Sequence, residues 1–273
     1  MSIVYKYNLS NIGLGDLTFF CGEMLFKLNE DDILKVKIDK KTLVSFRDDS
    51  ESYKNFCFDY IKYILSDYLV VECEANEEVD VRWSFNSDYN HKMLSNKDVR
   101  QFIKTKFSSG IINDDHSNYI ILFTKVRDYN RSNYELFSKE LFKILNNLNT
   151  KIILLGEKNV HYDGEYSFHG KDVIYSLYDD YIKNIQNEKI LDLTKDDYVA
   201  DNINVESIIN DLTLISNSKK IIMIGGGGFW CTSLFTDKLI SLNNEETIRK
   251  FNHELNHQIF ESVDDFLKKI QNV

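Results

Sequence analysis

The chain has 273 residues, 43% of them hydrophobic and 13% aromatic, with no proline and a formal net charge of −10. So many apolar and aromatic side chains exclude a disordered or low-complexity chain, and the length suits two domains of roughly 100–150 residues each. The acidic balance argues against a nucleic-acid binder, because phosphate contacts need clustered lysine and arginine.

Strand-like and helix-like patterns then alternate along the sequence. Residues 2–9 read as a short strand that runs into Gly13-Leu14-Gly15-Asp16. Leu17, Phe20, Met24 and Leu28 recur at helical spacing and predict the first helix. Strands are expected at 33–38 and 43–46, a helix at 53–65, a strand at 68–73 and a locally basic helix at 93–107. A second cycle starts near 118, with a strand at 119–124, a basic loop from Lys125 and an amphipathic helix at 134–148. A buried-type strand at 151–155 follows, then a helix at 173–185, a strand at 189–193 and a helix at 205–216. The strand at 220–224 ends in four glycines, and another is expected at 238–242. Residues 244–273 read as one or two helices, with Ile248, Phe251, Leu255 and Ile259 on one stripe and Val263, Phe266, Leu267 and Ile270 on the next.

Short apolar strands separated by helices predict an α/β fold of two Rossmann-like domains, each with a parallel sheet covered on both faces. The expected divisions are 1–115, 116–243 and C-terminal helices over 244–273. No apolar run is long enough to span a bilayer, and the first residues carry no secretory signal, so the expected location is cytoplasmic. Cys21, Cys57, Cys73 and Cys231 form no C-x-x-C pair and are read as reduced, mostly buried thiols.

Three segments have a composition suited to chemistry. Gly13 and Gly15 allow a sharp turn and a close backbone approach to a ligand at a helix N-terminus, where an acid is stabilised in its charged form. Asp16 there is either a helix cap or a general base for a substrate hydroxyl. The run Gly225-Gly226-Gly227-Gly228, followed by Phe229, Trp230, Cys231 and Thr232, leaves backbone amides bare after a buried strand, which suits a diphosphate or an oxyanion. Without a following lysine it is not a P-loop. Lys125, Arg127 and Arg131 follow the strand that opens the second half; they either neutralise a leaving diphosphate or form a solvated loop. Glu157 and His161, after the next strand, are candidate nucleoside contacts.

His253-Glu254-Leu255-Asn256-His257 fits the H-E-x-x-H zinc pattern. The only later glutamate is Glu261, one turn on in the same expected helix, and the extended metzincin pattern is absent, so a zinc peptidase is set aside. The remaining histidines have no ligand spacing and no D-x-D triplet occurs, so neither a metal nor any other cofactor is expected.

In the order of these motifs the chain resembles GT-B glycosyltransferases, nearest to the ADP-heptose:lipopolysaccharide heptosyltransferase type. The resemblance rests on Gly13-Leu14-Gly15-Asp16-Leu17, on the block TKVRDYNRSNYELFSKELFKILNNLNTKIILLGEK, and on NVESIINDLTLISNSKKIIMIGGGGFWCTSLF. It implies a metal-independent, inverting transfer from a nucleotide-sugar donor held by the second half to a glycan or other hydroxyl acceptor held by the first. Asp16 is then the base, Lys125 or Arg127 binds donor phosphate, and Gly226, Gly227, Gly228, Phe229, Trp230 and Thr232 hold the diphosphate or sugar, with Gly15 at the facing turn. The family's Asp-Ser-Gly-Pro-x-His is replaced here by Gly-Gly-Gly-Gly-Phe-Trp, a departure at the donor site. Polysaccharide pyruvyl transferases share the GT-B-like architecture and a glycine-rich turn and give a second reading; a non-catalytic binding subunit gives a third.

Overall fold

The computed structural model describes residues 2–9, 14–38, 51–74, 76–79, 81–83, 97–108, 117–127, 131–159, 161–162, 174–196, 205–224, 232, 236, 238–242 and 258–273. The first half comprises β1 (Val4–Leu9), α1 (Leu14–Lys27), β2 (Ile33–Ile38), α2 (Glu51–Ile64), β3 (Leu69–Glu72), β4 (Val81–Trp83) and α3 (Lys97–Ser108). Its sheet has the order β3-β2-β1-β4 with every pairing parallel. The expected strand at 43–46 lies outside the described residues.

One face of this sheet is apolar. Tyr7, Leu9, Leu34, Val36, Ile38, Val70 and Trp83 are buried there with the inner sides of α1 and α2. Phe20 of α1 meets the rings of both Tyr7 and Trp83 edge-on, and the Trp83 indole donates to Glu23 at 2.7 Å. Asp32 closes the turn into β2 by accepting from the backbone amides of Asn29 (2.9 Å) and Ile3 (2.8 Å), which hold its carboxyl below the usual range.

The other face is more polar and, among the described residues, less covered. β2 reads Ile-Leu-Lys-Val-Lys-Ile, the alternation of a strand with one dry and one wet face. Register brings Val4, Ile33 and Leu69 side by side, and Lys6 beside Lys35. Among the described residues this face stays half-open, with Leu69 56% exposed. The segment after β3 crosses it: the Cys73 amide donates to the Val36 carbonyl, and the Glu77 carboxylate reaches Lys6 at 2.9 Å and Lys35 at 2.8 Å.

The second half runs β5 (Ile120–Phe123), β6 (Lys125–Arg127), α4 (Arg131–Asn147), β7 (Ile152–Leu155), β8 (His161–Tyr162), β9 (Ile174–Ser176), α5 (Tyr178–Asn184), β10 (Ile190–Asp192), α6 (Val205–Asn217), β11 (Lys220–Ile224), β12 (Leu239–Leu242), β13 (Gln258–Phe260) and α7 (Val263–Gln271). The main sheet is entirely parallel in the order β10-β7-β5-β11-β12-β13. Its continuous apolar strands are buried on both faces, and their residues alternate between two cores. Ile121, Ile153, Leu155, Ile221, Met223 and Leu239 face one core with α6, whereas Ile120, Leu122, Ile152, Leu154, Ile222, Ile224, Ile240 and Leu242 face another with α4, α5 and α7.

Two expectations are corrected. The helix read over 173–185 is a strand followed by a helix, β9 and α5. Ile174, Tyr175 and Ser176 pair antiparallel with β6 and β8, and this small sheet was invisible to helical periodicity. The helical reading of 244–273 is also interrupted. Gln258–Phe260 is β13, paired parallel to β12, so Ile259 belongs to a sheet, and among the described residues of this segment the helix is Val263–Gln271. The Ser262 hydroxyl caps that helix at the Asp265 amide. The H-E-x-x-H residues 253–257 lie outside the described residues. Cys21, Cys57 and Cys73 are buried, and burial pushes the Cys21 thiol up.

The two lysines beside Glu77 hold its carboxyl down to about 2. A depressed carboxyl contributes stability above its unfolded value, and that contribution is lost as pH falls through the folded value. Glu77→Gln is therefore expected to lower the melting temperature at neutral pH. Thermal scans between pH 7 and pH 2 should show the difference from wild type closing below about pH 4.5.

Candidate functional site

Ligands of open parallel sheets bind beyond the carboxyl ends of the strands, where the strand order changes direction. In the first sheet that place is β1 beside β4, and in the second it is β5 beside β11. Both sheets thus start from the same arrangement, and the candidate segments can be located against it.

Beyond β1 the chain enters α1, where Gly15 and Asp16 lie in the first turn with Asp16 half-buried. Directly below, the Thr18 and Tyr60 hydroxyls share a fully buried hydrogen bond of 2.8 Å, tying the first turn of α1 to α2. Gly13 lies outside the described residues.

Beyond β5 the structure departs from the expected basic loop. Lys125 and Arg127 are in β6, which pairs antiparallel with β9 because Val126 between them is fully buried in the second core. Lys125 sits at the carboxyl end of β5 with its side chain 40% exposed, and its ammonium lies 3.7 Å from the Glu157 carboxylate. Arg127 is part of the same strand. Beyond β11, residues 225–231 lie outside the described residues, including Gly226, Gly227, Gly228, Phe229 and Trp230. Thr232 is described and buried, and its carbonyl accepts from the Thr236 amide at 3.2 Å.

The ends of β7 and β10 are tied off. Gly156 adopts φ +118, and a Cβ there would stand 2.5 Å from the Thr124 hydroxyl oxygen. That close approach lets the Thr124 hydroxyl donate to the Glu157 carbonyl at 2.9 Å, where the Ser176 hydroxyl also donates at 2.6 Å. Glu157 pairs in turn with Lys195, whose amide donates to the Gly156 carbonyl and whose ammonium meets Asp211 at 2.8 Å. Glu157 is 2% exposed, so its side chain faces Lys125 from inside the protein. His161 is in β8 opposite Tyr175. The more accessible groups at this end are Lys158, Asp192, Thr194 and Tyr178. Burial opposes ionisation of Asp192, but donation from Thr194 and from the Tyr178 hydroxyl (2.7 Å) holds its carboxyl below the usual range. The same bond pushes the Tyr178 phenol up to about 12.

The structure therefore brings Lys125, after β5, to Glu157, after β7, and places Asp16 in the first turn of the helix that follows β1. Sequence reasoning missed the Thr124, Gly156 and Ser176 node and the Lys195–Asp211 pair. A glycine followed by an acid after an apolar strand was the signal available for part of it. Among the described residues, no group of three or more His, Cys, Asp or Glu is arranged to hold a metal ion, and no helix is long and apolar enough to cross a membrane.

No protein-family model matches the chain, and no curated protein matches its sequence. Solved structures that resemble it include two of TibC. One is the iron-containing dodecameric glycosyltransferase TibC of enterotoxigenic E. coli H10407, at 10% identity and a TM-score of 0.43. The other is the dodecameric heptosyltransferase TibC in complex with ADP-D-beta-D-heptose, at 10% identity and a TM-score of 0.44. In both cases the match covers 88% of this chain and only 57% of the other.

Gly156 carries a testable cost. Gly156→Ala combines a left-handed backbone with the Thr124 clash and should reduce unfolding free energy by about 1–3 kcal/mol, read from urea titrations.

Proposed function

We propose that the chain is a glycosyltransferase that moves a sugar from a nucleotide-activated donor to an acceptor hydroxyl without a metal ion. The observation behind this reading is the repeated strand order. The central strands β1 and β5 lead directly into the segments holding Asp16 and Lys125, and β11, beside β5, leads into the glycine run. A basic group and bare amides on one side, with a carboxylate on the other, are what a displacement of diphosphate by an alcohol requires.

In this reading residues 1–115 hold the acceptor and residues 116–243 the donor. Asp16 takes the proton of the acceptor hydroxyl, and the freed oxygen attacks the anomeric carbon. The bond from that carbon to the diphosphate oxygen breaks, and the electron pair leaves with the diphosphate. Lys125, Arg127 and the amides of residues 225–228 stabilise the departing charge, while Thr232 supports the end of the glycine segment. A one-step displacement of this kind inverts the anomeric centre. Because Glu157 is almost fully buried against Lys125, its part is to set that lysine, and nucleoside contacts are left to the accessible groups after β10.

A thermal-shift panel of nucleotide sugars and nucleoside diphosphates, run with chelator present, tests the donor. A rise in melting temperature with one nucleotide class is expected, and no response to any member contradicts the reading. With the donor known, Asp16→Asn should reduce turnover by about 10²–10⁴-fold while leaving donor affinity within a few-fold of wild type. Lys125→Ala should act the other way, chiefly weakening the diphosphate, as followed by calorimetric titration.

A further inference from the structure

The apolar core of the first sheet does not end where the first half ends. It continues through α1, α2 and α3 onto α6 and from there onto one whole face of the second sheet. α6 packs against both α2 and α3. The residues at this junction are core residues by any measure: Ile61, Ile64 and Ile103 have no exposed surface, and Leu212 and Ile215 are almost as dry. The Tyr63 hydroxyl also donates to the Lys106 carbonyl at 2.7 Å, fastening α2 to α3 beneath α6. Domains of one chain that move against each other meet through modest, more polar interfaces, whereas a close-packed apolar layer has no smooth path along which to slide.

We infer that the two halves form one rigid, cooperatively folded body, in which one half does not rotate against the other. α6 is the crossover that feeds β11, so the strand leading into the glycine run is anchored on helices of the first half. The inference rests on packing alone and does not depend on the proposed reaction.

Scanning calorimetry of the full chain should give a single transition whose calorimetric and van't Hoff enthalpies agree; two transitions, or a calorimetric enthalpy well above the van't Hoff value, overturn the inference. Amide exchange in Ile103→Ala supplies a second test. Truncating this first-half side chain should speed exchange of the slowest amides in β5 and β11 by the same factor as those in β1 and β2, at least about tenfold. Acceleration confined to β1 and β2 overturns it. If Ile103→Ala does not fold, Val99→Ala on the same helix makes the same comparison with a smaller truncation.

Discussion

Parallel strands all present their carboxyl ends on one edge of a sheet, and only where neighbouring connections leave in opposite directions does that edge open into a crevice. This constraint underlies the proposed reading of the chain. The first sheet opens beside β1 and the second beside β5, and at these two places the sequence has Asp16, Lys125 and the glycine run. Elsewhere along the second edge the structure closes itself. The Thr124 and Ser176 hydroxyls converge on the Glu157 carbonyl, and the Glu157–Lys195 bridge seals the ends of β7 and β10. Among the described residues this closes the side of the edge away from β11, and the proposed reading puts the donor on the other side, between β5 and β11.

The electrostatics at that gap are local. A chain with a net charge of −10 repels anions at long range, so the anionic donor of the proposed reading has to be held by groups within a few ångströms of it. Lys125 supplies such a group, and the carboxylate beside it is buried rather than offered to the ligand. A buried acid paired with a partly exposed lysine fixes where the ammonium stands, at the cost of part of its charge.

Much of the fold was legible from periodicity. The runs Ile-Ile-Leu-Phe, Ile-Ile-Leu-Leu and Lys-Ile-Ile-Met-Ile announced buried parallel strands, and the structure finds them within a residue of the expected bounds. The same rule held the clue to the half-open first sheet, since β2 alternates lysine with apolar residues instead of running apolar. Periodicity reached the three-residue β10, expected at 189–193, but failed at most other strands that short. β4, β8, β9 and β13 are too brief to show a period, and each is defined by its partner strand. It also could not reveal that the two halves share a core, because an apolar stripe on α3 or α6 does not name what it packs against. Of the site, the positions of Asp16 and Lys125 followed from their place after strands. The burial of Glu157 depends on Thr124 and Ser176, which come to it from other strands, and so was not readable from local sequence.

The most direct test of this account is amide chemical-shift mapping of the full chain titrated with ADP, UDP and GDP. Saturable shifts are predicted for one of them, centred on Thr124, Lys125 and Ile224 at the carboxyl end of the second sheet. Shifts confined to the amino ends of the strands, or none with any of the three, would contradict it.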